Sequence, residues 1–205
     1  MQPVTCQVTI RNLKAERHAA EIGTTIYLGD FIKTADESAT SIILADEALL
    51  QVAENSDFII DDFVLSHASR DFKARVLTDA IHYLAKNNIF NKDKRTLFLA
   101  NAKLSIRGTN FIAEVDQRIR ITLLDGEVKI SARSNDITLY RRGHTVFLDR
   151  TGRFDEAFIL PDADIEALAK ELGLEVELPP RPKTMPLILL NPIRCAFLGG
   201  TLICG

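Results

Sequence analysis

Acidic side chains give this sequence its most obvious scope for chemistry. Glu114 and Asp116 are two residues apart, so in a strand they share a face, as the two carboxylates of a glycosidase do. Asp57 lies near Asp61 and Asp62, and calcium prefers carboxylate ligands. However, exposed strands often alternate acidic residues, and alternation sends an adjacent aspartate pair to opposite faces. We therefore predict no catalytic pair and no metal site.

The histidines give no sign of a catalytic or metal-binding group. They are scattered, without a neighbouring serine or cysteine nucleophile, at His18, His67, His82 and His144. The motifs GxSxG and HExxH, the P-loop and the dinucleotide fingerprint are missing from the sequence. His82 alternates with Ile81 and Tyr83, which predicts a solvated position on a strand. We predict a protein that is not an enzyme and needs no cofactor.

Two of the three cysteines lie close to the end of the sequence. Gly199-Gly200 is a two-residue hairpin signal, and its register places Cys195 opposite Cys204 in a non-hydrogen-bonded pair. One interpretation is a cross-strand disulfide formed in an oxidising compartment. The other is two buried free thiols, since an unpaired cysteine behaves as a small hydrophobic residue. The sequence leaves both open.

Bulk properties are those of a soluble globular protein. The 205 residues are 46% hydrophobic and 26% charged, with a net charge of -3. That balance argues against a nucleic-acid partner, which needs an excess of Lys and Arg on one face. The apolar segment 187–205 is interrupted by Asn191, Pro192 and Arg194, so no membrane span is predicted. No signal peptide follows Met1, which fits either a mature chain or a cytoplasmic one.

Hydrophobic periodicity predicts a mainly β fold. From residue 4 to about 160 the pattern is mostly period-two, broken by Gly, Asp and Asn. Such spacing predicts a compact β-sandwich or a short solenoid-like roll of many short strands. Residues 69–88 also fit one face of a helix, but we expect two strands there, Phe72–Val76 and Ile81–Ala85, around Thr78-Asp79.

The clearest helix covers residues 162–172. Asp162 is the expected N-cap, and Gly173 can close the C-terminal end in a left-handed conformation. An apolar stripe predicts that the helix docks on the β domain; it consists of Ile165, Leu168, Ala169 and Leu172. A proline-rich linker follows, so we divide the chain into a β domain (1–160), a helix and exit (161–178), and a linker with an apolar tail (179–205).

Turn-forming glycines punctuate the β region at fixed places. Gly29-Asp30 precedes Phe31 to Thr34, and a serine-led strand covers 56–63. The segment Ser105–Phe111 sets Arg107, Gly108 and Thr109 between two alternating stretches, and Asp125-Gly126 forms a second turn signal. In order and spacing these motifs resemble the FecR domain, with its "GD-I-T", "RGT" and "DG-V" elements. The sequence departs from that pattern at Glu47, where the family has a glycine.

The resemblance implies an extracytoplasmic or periplasmic module rather than an enzyme. It implies signal reception by contact with another envelope protein, such as the signalling domain of a TonB-dependent receptor, and a link to iron-siderophore uptake. Nothing before Val4 matches the anti-sigma segment or membrane span of full-length family members. The alternative is a ligand-binding β module for a carbohydrate or small molecule. The lack of Trp weighs against sugar stacking.

Overall fold

A computed structural model describes residues 7–65, 69–85, 92–178, 195–198 and 201–204. The elements are β1 (Val8–Arg11), β2 (Arg17–Ala19), β3 (Phe31–Thr34), β4 (Thr40–Ile43), β5 (Leu49–Val52), β6 (Asp57–Leu65), β7 (Ser69–Leu84), β8 (Lys92–Leu99), β9 (Ala102–Val115), β10 (Ile119–Ala132), β11 (Asn135–Leu139), β12 (His144–Leu148), β13 (Phe158–Ile159), α1 (Asp162–Glu171), β14 (Cys195–Leu198) and β15 (Thr201–Cys204). The predicted mainly β fold with a C-terminal helix is confirmed.

Thirteen strands join into one mixed sheet. Its main path runs β13-β12-β10-β9-β8-β7-β6-β3-β1-β2, with β11 beside β10 and the β4–β5 hairpin attached to β7. Most neighbours are antiparallel, and β7 and β8 run parallel. One continuous hydrophobic core runs along the sheet, with buried side chains from β1 and β3 near one end of its path to β11 and β12 near the other.

The sheet forks where β8 enters it. The first half of β7 pairs with β8, and β8 pairs with the start of β9. The second half of β7 pairs directly with β9, from Asp79 opposite Val115 to Leu84 opposite Asn110. Long strands therefore change neighbours along their length, and each half packs in a different local environment.

Residues 69–84 form strand rather than helix. They make a single strand, β7, with an irregularity at the predicted break, where Asp79 has a φ of +59°. The registers with β6 and with β9 meet at this point. Burial, together with the nearby Glu114, Glu54 and Asp116, raises the pKa of Asp79. The apolar spacing of a helix arises here because the irregularity shifts the alternation. Even-numbered residues (72, 74 and 76) reach the main core before it, and odd-numbered residues (81, 83 and 85) reach the same core after it.

Helix α1 packs as its stripe predicts, but its N-terminus differs from the expected one. Ile165, Leu168 and Ala169 are buried against a small cluster on the sheet that contains Ala80 and Ile112. The N-cap residue is Pro161, without a side-chain cap, and Asp162 already lies inside the first turn. Its carboxylate lies 3.7 Å from the Arg142 guanidinium.

The C-terminal end of α1 closes through glycine, as predicted. Gly173 has a φ of +65°, and the Leu174 amide donates to the Ala169 carbonyl at 2.8 Å. A left-handed glycine followed by this hydrogen bond is typical of a Schellman motif, in which carbonyls of the last helical turn find partners.

The hairpin predicted near the C-terminus has the expected register. β14 and β15 pair antiparallel with Cys195 opposite Cys204. The side chains of both cysteines lie outside the described residues, as do Cys6 and the proline-rich linker, so the disulfide stays a prediction.

Candidate functional site

The Arg107-Gly108-Thr109 and Asp125-Gly126 motifs lie opposite each other in one strand pair. β9 and β10 stay paired on both sides, and the register shifts twice between Leu123 and Glu127. The glycine turns predicted at both places are therefore wrong. Each motif is a bulge inside a 14-residue strand, because the residues before and after it keep the same partner strand. We call Gly108, Thr109 and Gly126 the double kink.

Backbone contact makes glycine necessary at the centre of the double kink. Gly126 has a φ of +85°, and a Cβ built there would lie 2.2 Å from the carbonyl oxygen of Gly108. Thr109, 1% exposed, joins the two bulges: its hydroxyl donates to the Glu127 carbonyl at 2.8 Å and accepts from the Arg107 amide at 3.2 Å. The Arg107 side chain is exposed. These residues fix backbone shape and present no reactive group.

Gly29 and Asp30 also serve the local backbone. The buried Asp30 carboxylate accepts a hydrogen bond from the Tyr27 amide at 2.9 Å. Gly29 has a φ of +84° and donates its amide to the Ile60 carbonyl. An aspartate that bonds a backbone amide three residues earlier closes a turn, so its acceptor oxygens are directed into the protein.

His82 is buried, and its predicted solvated position is wrong. Only 2% of the residue is exposed, because its strand lies between β5 and β9 rather than at an edge. The Nδ1 atom is 3.0 Å from Gln51 Oε1, and Nε2 is 2.7 Å from Asn110 Oδ1. Burial lowers the pKa of His82, against opposing hydrogen bonds from Asn110 and the Glu175 backbone. A neutral ring then needs one of the two amides to present its NH₂ group.

A large cleft lies beside β4. It encloses about 1220 Å³ between that strand and the segment 20–28, with a floor of core side chains from β1, β3 and β6. We call it the β4 cleft. Four exposed apolar side chains line it: Ile22, Tyr27, Leu28 and Ile43. Single exposed apolar side chains are common on protein surfaces, whereas a cluster of them is typical of an interaction site.

Strand β4 presents one unpaired edge to this cleft. Among the described residues it pairs with β5 alone. The Leu44 amide donates to the Ala48 carbonyl, so these two residues form a hydrogen-bonded pair. Along an antiparallel ladder, hydrogen-bonded pairs alternate with non-hydrogen-bonded pairs. Residues 40, 42 and 44 therefore direct their backbone groups to β5. Ser41 and Ile43 direct their amides and carbonyls outward.

The sequence analysis did not identify this cleft. Its available signal was the run from Ile22 to Leu28, which holds four large apolar side chains in a segment without strand alternation. The turn after β4 contains Glu47, the position at which the sequence departs from the family pattern by lacking a glycine. Glu47 adopts a φ of +64° without being glycine, and the turn is held because the Asp46 carboxylate accepts from the Ala48 amide.

Three further possibilities are a metal site, a membrane-spanning helix and a catalytic carboxylate pair. The described ranges contain no group of three or more His, Cys, Asp or Glu placed to hold a metal ion. In that same part of the chain, no helix has both the length and the apolar character needed to cross a membrane. Glu114 of the suspected carboxylate pair bonds Arg120 at 2.7 Å across the strand pair.

Comparison with known proteins gives one family and one group of structures. Residues 30–129 match the family model described as FecR protein. Two solved structures of a putative anti-sigma factor from Parabacteroides distasonis ATCC 8503 superpose with a TM-score of 0.56 at 10% identity. The superposition covers 67% of this chain and 63% or 62% of theirs, which shows a shared fold. No curated protein matches the sequence.

Proposed function

We propose that this chain is a non-enzymatic extracytoplasmic signalling module that acts by binding another envelope protein, because residues 30–129 match the FecR family model. The family match, together with the fold shared with the putative anti-sigma factor, supports a regulatory role. The finer proposal is a periplasmic partner, the signalling domain of a TonB-dependent receptor, in the control of iron-siderophore uptake.

The β4 cleft is the observation that carries this proposal. It combines an apolar floor, four exposed apolar side chains and a strand edge with unpaired backbone groups. Protein partners use such surfaces because burying apolar area and completing a ladder both favour the complex. The double kink, in contrast, is filled by its own backbone.

Binding of the full chain to the signalling domain of a TonB-dependent receptor from the same organism tests the proposal. We expect the double variant Tyr27→Ser, Ile43→Ser to weaken binding by about tenfold or more, as truncation of apolar anchors does. The control is Tyr140→Ser, Ile159→Ser, which removes the same exposed side-chain types away from the cleft. Calorimetry gives both dissociation constants. Equal loss in the two variants, or no binding by the parent protein, contradicts the proposal.

A carbohydrate or other small molecule is the second candidate occupant, because a cleft of about 1220 Å³ has room for one. A thermal-shift screen with siderophores and glycans separates the two functions, since a ligand of the native state raises the melting temperature. A rise that the Tyr27→Ser, Ile43→Ser variant abolishes favours the ligand-binding module.

A further inference from the structure

Charge is distributed very unevenly along this chain. Residues 20–62 carry ten acidic side chains and one basic side chain, Lys33, whereas the remaining residues carry 18 acidic and 24 basic side chains. The small net charge of -3 therefore conceals a strongly acidic portion. That portion contains β3 to β5 and supplies most of the β4 cleft.

Several of these acids are already neutralised by partners on the protein. Lys33 bonds Asp57 at 2.9 Å, and Asp61 and Asp62 bond Arg75 and Lys73 of β7. The remaining exposed acids concentrate around β4. Glu37 precedes the strand by three residues, Glu47 follows it by four, and Glu21 lines the opposite wall of the cleft.

We propose that the β4 cleft binds an extended segment of a partner protein that is apolar at alternate residues and carries Lys or Arg at both ends. The segment adds to β4 as a new strand, through the outward amides and carbonyls of Ser41 and Ile43. Its apolar side chains fill the cleft, and its terminal cations lie near Glu37 and Glu47. This inference rests on the proposed function and names the chemistry of the partner.

Charge also decides between a partner and a second copy of this chain. Antiparallel pairing of two β4 strands places the Glu37 end of each copy beside the Glu47 end of the other. Like charges placed opposite each other destabilise a strand pair, so a second copy fits poorly where a basic-ended segment fits well.

A peptide titration tests the charge rule directly. The probe is a nine-residue peptide: two lysines at each end flank a five-residue core that alternates valine and threonine. The control peptide has the same core and carries glutamates in place of the lysines. Amide NMR shifts of the full chain report binding. We expect a Kd near or below about 1 mM for the lysine peptide, at least about tenfold tighter than for the glutamate peptide. The preference should fall steeply in 1 M salt, which screens exposed charges.

Two proline variants test strand addition. Ser41→Pro and Ile43→Pro each remove one outward amide while leaving the ladder with β5 intact, since proline is tolerated where the amide faces away from the sheet. The matched controls Ser41→Ala and Ile43→Val change the side chains but keep the amides and the apolar character of the cleft. We expect each proline variant to lower affinity for the lysine peptide about tenfold, with the controls within about twofold of the parent.

Asparagine variants test the two acidic ends. Glu37 and Glu47 have φ values of +52° and +64°, and asparagine tolerates that conformation, so Glu37→Asn, Glu47→Asn removes two charges without added strain. The control, Glu166→Gln with Glu171→Gln, makes the same charge change on α1. Only the first variant should lose the preference for the lysine peptide.

Three results overturn the inference. They are equal binding of both peptides, binding that the proline variants leave unchanged, and slow exchange of the Ser41 and Ile43 amides in the free protein, which shows the edge already occupied. A dimer that Ser41→Pro dissociates assigns the edge to a second copy instead. If the receptor domain still binds in these cases, the proposed function stands; if it fails to bind the parent protein, the proposed function itself is wrong.

Discussion

The double kink and the β4 cleft differ in what occupies the space around the backbone. At the double kink, Gly126 meets the Gly108 carbonyl so closely that a single added carbon has no room, and Thr109 satisfies backbone groups on both strands. At the β4 cleft, the outward backbone groups of Ser41 and Ile43 have no hydrogen-bond partner among the described residues, and Ile43 is 77% exposed. One region is complete in itself, whereas the other offers contacts to a partner.

This difference separates the residues that identify the fold from those that could perform its function. The motifs that carry the family resemblance, at 29–30, 107–109 and 125–126, bend strands or close turns. The surface suited to binding lies in residues without such motifs, at 20–28 and 40–45. A recognisable motif here indicates a demanding backbone conformation rather than a reactive site.

The largest expected effect is on the double kink. Gly126→Ala places a Cβ against the Gly108 carbonyl, and both groups belong to backbone that cannot rotate away. We expect the free energy of unfolding to fall by about 3 kcal/mol or more, measured by urea denaturation. Gly23→Ala is the control, because Gly23 has nearly the same φ, +87°, with no atom within 4 Å of the added carbon. Its cost should be about 1 kcal/mol, the strain of the left-handed region alone. Similar losses at the two sites show that the close approach is unimportant.

The next effect concerns the hydroxyl that joins the bulges. Thr109→Val keeps the side-chain shape but removes the donor to the Glu127 carbonyl and the acceptor for the Arg107 amide. Buried groups left without partners cost about 1–3 kcal/mol, so the melting temperature should drop clearly. Thr138→Val, on the exposed face of β11, should change it little. A neutral Thr109→Val refutes the structural role given to this hydroxyl.

A third effect depends on pH and tests the interior next to the double kink. Since burial lowers the pKa of His82 below 6.5, the unfolded chain takes up its proton before the folded one does. The stability that the neutral ring contributes is complete above pH 6.5 and is lost as pH falls from there toward the folded pKa. This loss is at most about 1.4 kcal/mol per pH unit for one proton.

The variant His82→Gln isolates that effect. It keeps amide groups for hydrogen bonding but does not titrate, so its unfolding free energy should vary less between pH 7 and pH 5 than that of the parent protein. Urea denaturation across that range measures both. His144, whose pKa burial and Arg141 also lower, is present in both proteins and cancels from the difference. Parallel pH profiles would exclude a titrating role for His82.

The smallest expected effect is at the cleft. Ile43→Ser alters a side chain that is mostly solvated, so unfolding free energy should change by less than about 0.5 kcal/mol. The neighbouring Ile42→Ser, at a side chain only 6% exposed, should cost several times more. A large loss from Ile43→Ser would mean that this edge already supports the fold, and would remove the contrast between the two regions.

Much of the fold could be predicted from local pattern. Period-two alternation indicated a mainly β protein, because a strand with one buried face needs it wherever that strand lies. The stripe and Gly173 located α1, and the glycine pair set the register of β14 and β15, since these signals act within a few residues. Residues 69–84 were harder, because a long strand that changes neighbours also matches helical spacing.

The positions at which the backbone must bend follow from local sequence, because glycine at positions such as 108 and 126 supplies conformations that other residues resist. Whether a bend ends a strand or kinks it depends on the whole fold, since it requires the partner strand to stop or to continue beside it. The same is true of the burial of His82 and of the β4 cleft. His82 is buried because β5 and β9 pair on either side of its strand, whereas the β4 cleft arises where β4 has no second partner strand among the described residues.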